Sequence, residues 1–252
     1  MQLSTILKSL RPIWGKKLLK VEKINISYGI IQVVYDVDFS VEEGECVALL
    51  GSNGAGKTTI LNTISGVVPL KSGSIIFQGL MCNRSSPSVR YESGIAQVPE
   101  GGKIFPFMTV QDNLIMGAAC RDEAWKKRDE TLEWIYKIFP KLRDRYNQEA
   151  RLLSGGERQL LVVGRGLMAR PRLLMIDEPS LGLAPKVLLE IYETLKVLRD
   201  EGMTILLSEQ NVTQALKLAS RGYVLENGQI ILSGASVELL NSAHVKQAYL
   251  GL

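Results

Sequence analysis

Gly51-Ser52-Asn53-Gly54-Ala55-Gly56-Lys57-Thr58 fits the pattern G-x-x-x-x-G-K-[ST]. It follows the mostly apolar run Glu45-Cys-Val-Ala-Leu-Leu50 and opens a helical stretch that ends near Gly66. A strand before and a helix after are the context that gives this pattern its meaning. The glycines let successive backbone N–H groups turn inward around phosphate oxygens, and the helix N-terminus adds partial positive charge. In such a loop Lys57 reaches the β- and γ-phosphates, and the Thr58 hydroxyl, followed by Thr59, ligates Mg²⁺. The expected ligand is therefore a nucleoside triphosphate with Mg²⁺, bound by residues 51–59.

Outward from the loop, periodicity alternates between strand and helix. Residues 19–43 read as short strands rich in β-branched residues, and Ser74 to Gln78 as another between Gly73 and Gly79. Thr109 with Asp112, and Ser154 with Glu157, have capping-box spacing. Residues 122–139 have helical period, and Pro140 is expected to end them. Leu173 to Ile176 and Met203 to Ser208 are continuous apolar runs, as in parallel strands buried on both faces. Residues 186–200 have helical spacing, and Asn227-Gly228 predicts a type I′ hairpin within Tyr223–Leu232. The expectation is an α/β P-loop NTPase core, a mainly parallel sheet with flanking helices. To it are added a short antiparallel β-subdomain and an inserted helical subdomain over about residues 100–157. Residues 1–18 form a basic N-terminal extension and 19–252 the ATPase domain.

Leu173-Leu-Met-Ile-Asp177-Glu178-Pro179 puts two acids at the end of a buried strand. Beside a phosphate loop, Asp177 holds Mg²⁺ through water and Glu178 polarises the attacking water. Leu153-Ser154-Gly155-Gly156-Glu157-Arg158-Gln159 reads as an N-capped helix whose first turn carries no side chains in the way of an anion. Whether that turn serves the same phosphates or a different set is open at this level.

That last motif resembles the signature of ABC ATPases. Under this resemblance Tyr28 matches the aromatic that stacks on adenine. Gln97 matches the glutamine that touches Mg²⁺ and water and faces the membrane partner, and Glu178 the catalytic glutamate. Ser180-Leu-Gly-Leu183 occupies the D-loop, with Leu183 in place of the usual Asp. Gln210 occupies the switch position, where histidine is usual. The segments Val98-Pro-Glu-Gly, Ile104-Phe-Pro, Pro179–Pro185, Glu209-Gln-Asn211 and Arg221–Gly228 are similar to one subfamily, the ATP-binding subunits of bacterial branched-chain amino acid importers, and within it the subunit with glutamine at the switch. The related urea and short-chain amide importers have near-identical motifs. The resemblance implies ATP hydrolysis at the cytoplasmic face of a membrane. It also implies a second ATPase subunit, head to tail, that brings its Ser154–Gly156 turn to this chain's ATP. The implied partners are transmembrane permease subunits and, indirectly, a periplasmic solute-binding protein.

Composition narrows the field further. Of 252 residues 46% are hydrophobic and 22% charged, ordinary globular proportions. Cys46, Cys82 and Cys120 form no C-x-x-C pair and His244 is the only histidine, so a zinc centre or imidazole-based catalysis is not expected. The net charge of +4 is concentrated in residues 1–23, where six basic residues face Glu22. The remaining chain has 24 basic and 25 acidic residues, which gives no sign of a nucleic-acid partner. Leu3, Ile6, Leu7 and Leu10 lie on one helical face ended by Pro12, too short to persist as an isolated helix; a tail dispensable for ATP hydrolysis is expected. Two other classes fit less well. DNA-repair or translation ATPases carry paired cassettes or long coiled-coil insertions. A non-catalytic regulatory subunit fits the missing switch histidine, but Lys57, Asp177 and Glu178 are all retained.

Overall fold

A computed structural model describes residues 17–250. The amphipathic face proposed for residues 3–10 lies outside them. Two sheets make the framework. β1 (Lys17–Tyr28), β2 (Ile31–Glu42), β4 (Ser72–Phe77) and β5 (Leu80–Met81) form an antiparallel sheet in the order β2-β1-β4-β5. β3 (Cys46–Leu50), β6 (Ile95–Val98), β7 (Leu173–Asp177), β8 (Thr204–Glu209), β9 (Arg221–Glu226) and β10 (Gln229–Ala235) form the second, ordered β10-β9-β3-β8-β7-β6. Within it β9, β3, β8, β7 and β6 are parallel, and β10 closes the edge antiparallel.

The parallel strands are buried on both faces, and period-two alternation divides their side chains between two cores. Cys46, Ala48 and Leu50 of β3, with Leu174 and Ile176 of β7, face one core, which also receives the helices between β6 and β7. Val47, Leu49, Leu173, Met175 and Leu206 face the other, closed by the antiparallel sheet and the helix after the phosphate loop.

The expected short strands over 19–43 are two strands of twelve residues each. The reason is bulging. Lys23 and Asp36 have φ of 43° and 44°. The β1–β2 register shifts between Val21 and Ile24, and again between Ile24 and Ile26. Each bulge changes which parity faces inward, so Leu19 and Val21 and then Ile24 and Ile26 are all buried. β1 also begins at Lys17, so the strand takes two residues assigned above to the extension.

The helices are α1 (Lys57–Ile64), α2 (Pro87–Glu92), α3 (Val110–Met116), α4 (Asp122–Lys126), α5 (Arg128–Ile138), α6 (Pro140–Asp144), α7 (Gly155–Met168), α8 (Pro185–Asp200), α9 (Val212–Leu218) and α10 (Ser236–Asn241). The single helix expected over 122–139 is broken at Lys127. Pro140 does not simply end it: Phe139 is forced out of helical geometry, and the proline then opens α6, where its missing N–H costs nothing. A boundary at residue 157 falls inside α7, which runs unbroken to Met168. The Asn227-Gly228 turn has φ of 49° and 78°, as a type I′ hairpin requires.

Candidate functional site: a phosphate-loop cavity at the ends of the parallel strands

β3, β8 and β7 lie side by side, with Leu50 opposite Glu209 and Asp177 opposite Ser208. Their C-terminal ends therefore bring three loops together: 51–56, 178–183 and 210–211. Ligands of open parallel sheets bind at this edge. A cavity of about 340 Å³ opens there, lined by Val33, Asn53, Gly54, Gly56, Lys57, Thr58, Thr59, Glu100, Glu178 and Leu181.

The loop's glycines have separate reasons. At Gly51 a Cβ would stand 2.4 Å from the Leu225 carbonyl, so the backbone passes too close for any side chain. Gly54 and Gly56 have φ of 83° and 109°, left-handed values that favour glycine. Ala55 N–H closes the turn onto Ser52 O (3.2 Å), and Ala55 O accepts from Gly228 N–H (3.0 Å). The Lys57 side chain folds back over the loop. Its Nζ donates to Gly51 O (2.7 Å) and Ser52 O (2.8 Å) and meets Glu178 Oε1 at 2.9 Å. Lys57 and Glu178 are both buried, 2% and 6% exposed. Arg90, itself buried, donates to the Thr63 and Ile64 carbonyls and so caps the C-terminal end of α1.

Glu178 has φ of 42°, a left-handed conformation uncommon outside glycine and frequent at functional sites. Its N–H is tied to Ser208 O (3.0 Å). Asp177 is buried beneath the cavity. Burial pushes its carboxyl above the usual aspartate range, opposed by hydrogen bonds from the Ser208 and Thr58 hydroxyls. Thr58 and Asp177 thus supply hydroxyl and carboxylate oxygens, the donor set a hard divalent cation takes. Among the described residues no three His, Cys, Asp or Glu side chains converge on one point. A cation here would complete its shell from phosphate and water oxygens.

Other expected site residues lie at the margins. Tyr28, half exposed, has its hydroxyl 3.4 Å from Thr59 Oγ1, at the cavity's rim. Gln97 does not line this cavity. It donates to Asn62 Oδ1 (2.9 Å) and borders a separate groove of about 340 Å³ with Tyr91, Phe105, Met116 and Arg165. Gln210 is exposed at the end of β8, its N–H on Glu209 Oε2 (3.1 Å). His244 faces Glu226 on the surface, 3.1 Å apart.

The Ser154 turn forms the full capping box: Ser154 Oγ accepts from Glu157 N–H, and Glu157 Oε2 accepts from Ser154 N–H (2.9 Å). Burial opposes ionisation of Glu157, but Ser154's hydrogen bonds and Arg145, 2.8 Å away, outweigh it and hold the carboxyl below the usual range. A Cβ on Gly156 would stand 2.6 Å from Val187 Cγ1, whereas one on Gly155 would meet nothing within 4 Å. Ser154 and Gly155 are exposed, Gly156 is buried, and none of the three lines the cavity of its own chain. Arg121, buried, caps the other end of α7 through the Ala169 and Arg170 carbonyls.

Sequence reasoning gave no role to Glu209, which is fully buried at the C-terminal end of β8. An acid closing an otherwise apolar run was the available signal, the same one that marked Asp177.

A phosphate loop after β3, with Lys57 against an acid that follows β7 across β8, defines a nucleoside-triphosphatase cassette. The chain belongs to the ABC transporter family, whose model matches residues 34–181, and is an ATPase of that family. It is 45% identical over 236 residues to the high-affinity branched-chain amino acid transport ATP-binding protein BraG of Pseudomonas aeruginosa, covering 93% of this chain and 100% of that one. It is 36% identical to the lipopolysaccharide export system ATP-binding protein LptB of Escherichia coli over 87% of this chain and 91% of that one. Among solved structures, the ADP conformation of MJ1267, an ATP-binding cassette of an ABC transporter, superposes with a TM-score of 0.80. It is 29% identical, over 94% of this chain and all of that one.

Proposed function

We propose that this chain is the ATP-hydrolysing subunit of an importer for branched-chain amino acids, working at the cytoplasmic face of the membrane. The observation that carries the chemistry is the cavity in which Lys57, Thr58 and Glu178 converge at the strand ends. The 45% identity to BraG over its whole length supports the solute. No helix among the described residues is long and apolar enough to cross a membrane, so the solute's path would belong to permease subunits.

In this reading the N–H groups of residues 53–58 and the Lys57 amine bind the ATP phosphates, and Tyr28 at the rim stacks on adenine. Thr58 and Asp177 would hold Mg²⁺, and Gln97 would reach it only after leaving its bond to Asn62. Bound there, the ion would supply positive charge against the phosphate oxygens. Glu178 accepts a proton from the attacking water, and the Gln210 amide donates a hydrogen bond beside it. The Ser154–Gly156 turn, which does not line its own chain's cavity, offers its N–H groups to the γ-phosphate on a second ATPase subunit. ATP thereby holds two cassettes together, and hydrolysis releases them. The Gln97 groove passes that movement to the permease.

The test is a solute panel. The chain is assembled with permease, solute-binding protein and partner ATPase, and ATP turnover is followed as each solute is added. Leucine, isoleucine and valine are expected to stimulate turnover, and urea and acetamide are not. Stimulation by urea, or by lipopolysaccharide with an LptB-type permease, would replace the branched-chain reading.

A further inference from the structure

Glu209 is fully buried, and the mechanism above does not use it. A lone carboxylate in such a place is costly unless hydrogen-bonded, and its partners say what it holds. Its Oε1 accepts from Ser180 N–H (3.3 Å). Its Oε2 accepts from the Ser180 hydroxyl (2.9 Å), Gln210 N–H (3.1 Å) and Asn211 N–H (3.3 Å). Its backbone carbonyl accepts from Gly51 N–H (3.3 Å). One residue thus touches the phosphate loop, the loop that follows Glu178, and the switch loop. Ser180 is two residues from Glu178, whose left-handed backbone must be held from outside.

We infer that Glu209 is a positioning residue for ATP hydrolysis: its carboxylate fastens the Glu178–Ser180 loop to the Gln210–Asn211 loop, so that the water-activating acid and the switch amide keep one mutual geometry. The inference rests on the ATPase reading above. It assigns Glu209 no contact with ATP. Removing its charge should therefore leave nucleotide binding in place and slow only the step that needs both loops aligned. Glutamine at this position cannot reproduce the pattern. Whichever way its amide turns, an NH₂ meets either Ser180 N–H or the paired Gln210 and Asn211 N–H groups. The first orientation leaves the Ser180 loop only its hydroxyl contact, and the second loosens the Gln210–Asn211 loop.

The experiment compares Glu209→Gln, Ser180→Ala and the double variant in the assembled transporter, reading kcat and the KM for ATP. Both single variants are expected to lower kcat, Glu209→Gln by about tenfold or more, as when a reacting group drifts from alignment. KM should stay within about twofold, because the phosphate contacts are intact. The double variant should be no slower than Glu209→Gln, since the two substitutions remove one shared connection. Unchanged kcat in Glu209→Gln, a rise in KM that accounts for the loss, or losses that multiply in the double variant would each overturn the assignment. If Glu209→Gln does not fold, Ser180→Ala decides by the same kcat and KM criteria. The wild-type chain serves as the separate control: absence of turnover there would refute the ATPase reading, not the role of Glu209.

Discussion

Lys57 Nζ lies 2.9 Å from Glu178 Oε1, with both side chains buried. The cation that would meet ATP is therefore held by the acid that would activate water. The two partners are not equivalent. Lys57 also donates to two loop carbonyls, whereas Glu178 has no other cation within ion-pairing distance among the described residues. Removing the lysine leaves a buried acid uncompensated, at a cost of up to about 3–5 kcal/mol. Removing the acid's charge leaves the lysine its carbonyls. Thermal unfolding is thus expected to show Lys57→Met less stable than Glu178→Gln. In nucleotide-binding assays Lys57→Met loses ATP while Glu178→Gln retains it. Equal stability of the two variants would count against this pairing.

The two glycines of the Ser154 turn separate folding from function. Gly156→Ala would drive a Cβ into Val187 and should lower the unfolding temperature. Gly155→Ala meets nothing within its own chain and adds a better helix former, worth up to about 1 kcal/mol. It should leave the isolated chain as stable or more so, yet reduce ATP turnover once two ATPase subunits are assembled. Full turnover by the assembled Gly155→Ala protein would show that nothing approaches this turn.

Glu157 gives a pH signature. Its carboxyl is held below the usual glutamate range by the Ser154 cap and Arg145, so the folded state prefers the ionised form. That preference stabilises the fold above the unfolded-state value and is lost as pH falls through the lower folded-state value. Glu157→Gln should therefore be less stable than wild type at neutral pH. The difference should shrink as pH is lowered through the acidic range. A constant difference at all pH values would assign the loss to packing alone.

Gln210 bears on rate. Its amide donates a hydrogen bond but carries no charge, whereas a histidine can be cationic. Gln210→His is expected to raise turnover at this chain's site. In the assembled transporter a paralogous ATPase with histidine at the switch would supply the faster site, so His→Gln in that partner should slow transport more than substitution of Gln210 here. A harmless substitution in the partner, or full transport by this chain with its permease alone, would exclude unequal sites.

What the sequence revealed was what lies close together along the chain. The 51–58 loop, the acids 177–178 and the Ser154–Glu157 box are contiguous, and each appears in the structure where its local pattern implied. Contacts between distant segments were not legible. Lys57 meets Glu178 only because β7 and β3 each flank β8, and no local spacing records that order. Arg90 and Arg121 carry no local mark in the sequence and are buried caps on α1 and α7. The bulges at Lys23 and Asp36 hid the length of β1 and β2, because each resets the alternation a strand is recognised by. Gln97 stands on β6, a strand the sequence did not reveal, and its bond to Asn62 turns it toward the groove rather than the phosphates.

Hydrolysis at Glu178 is expected to drive amino acid import. The direct measurement is leucine uptake into vesicles holding the assembled transporter, with ATP on the side of this chain, for wild type and Glu178→Gln in parallel. The account predicts ATP-dependent accumulation by wild type and none by the variant, although the variant still binds ATP. Equal uptake by both proteins, or ATP hydrolysis by wild type with no leucine accumulated, would contradict it.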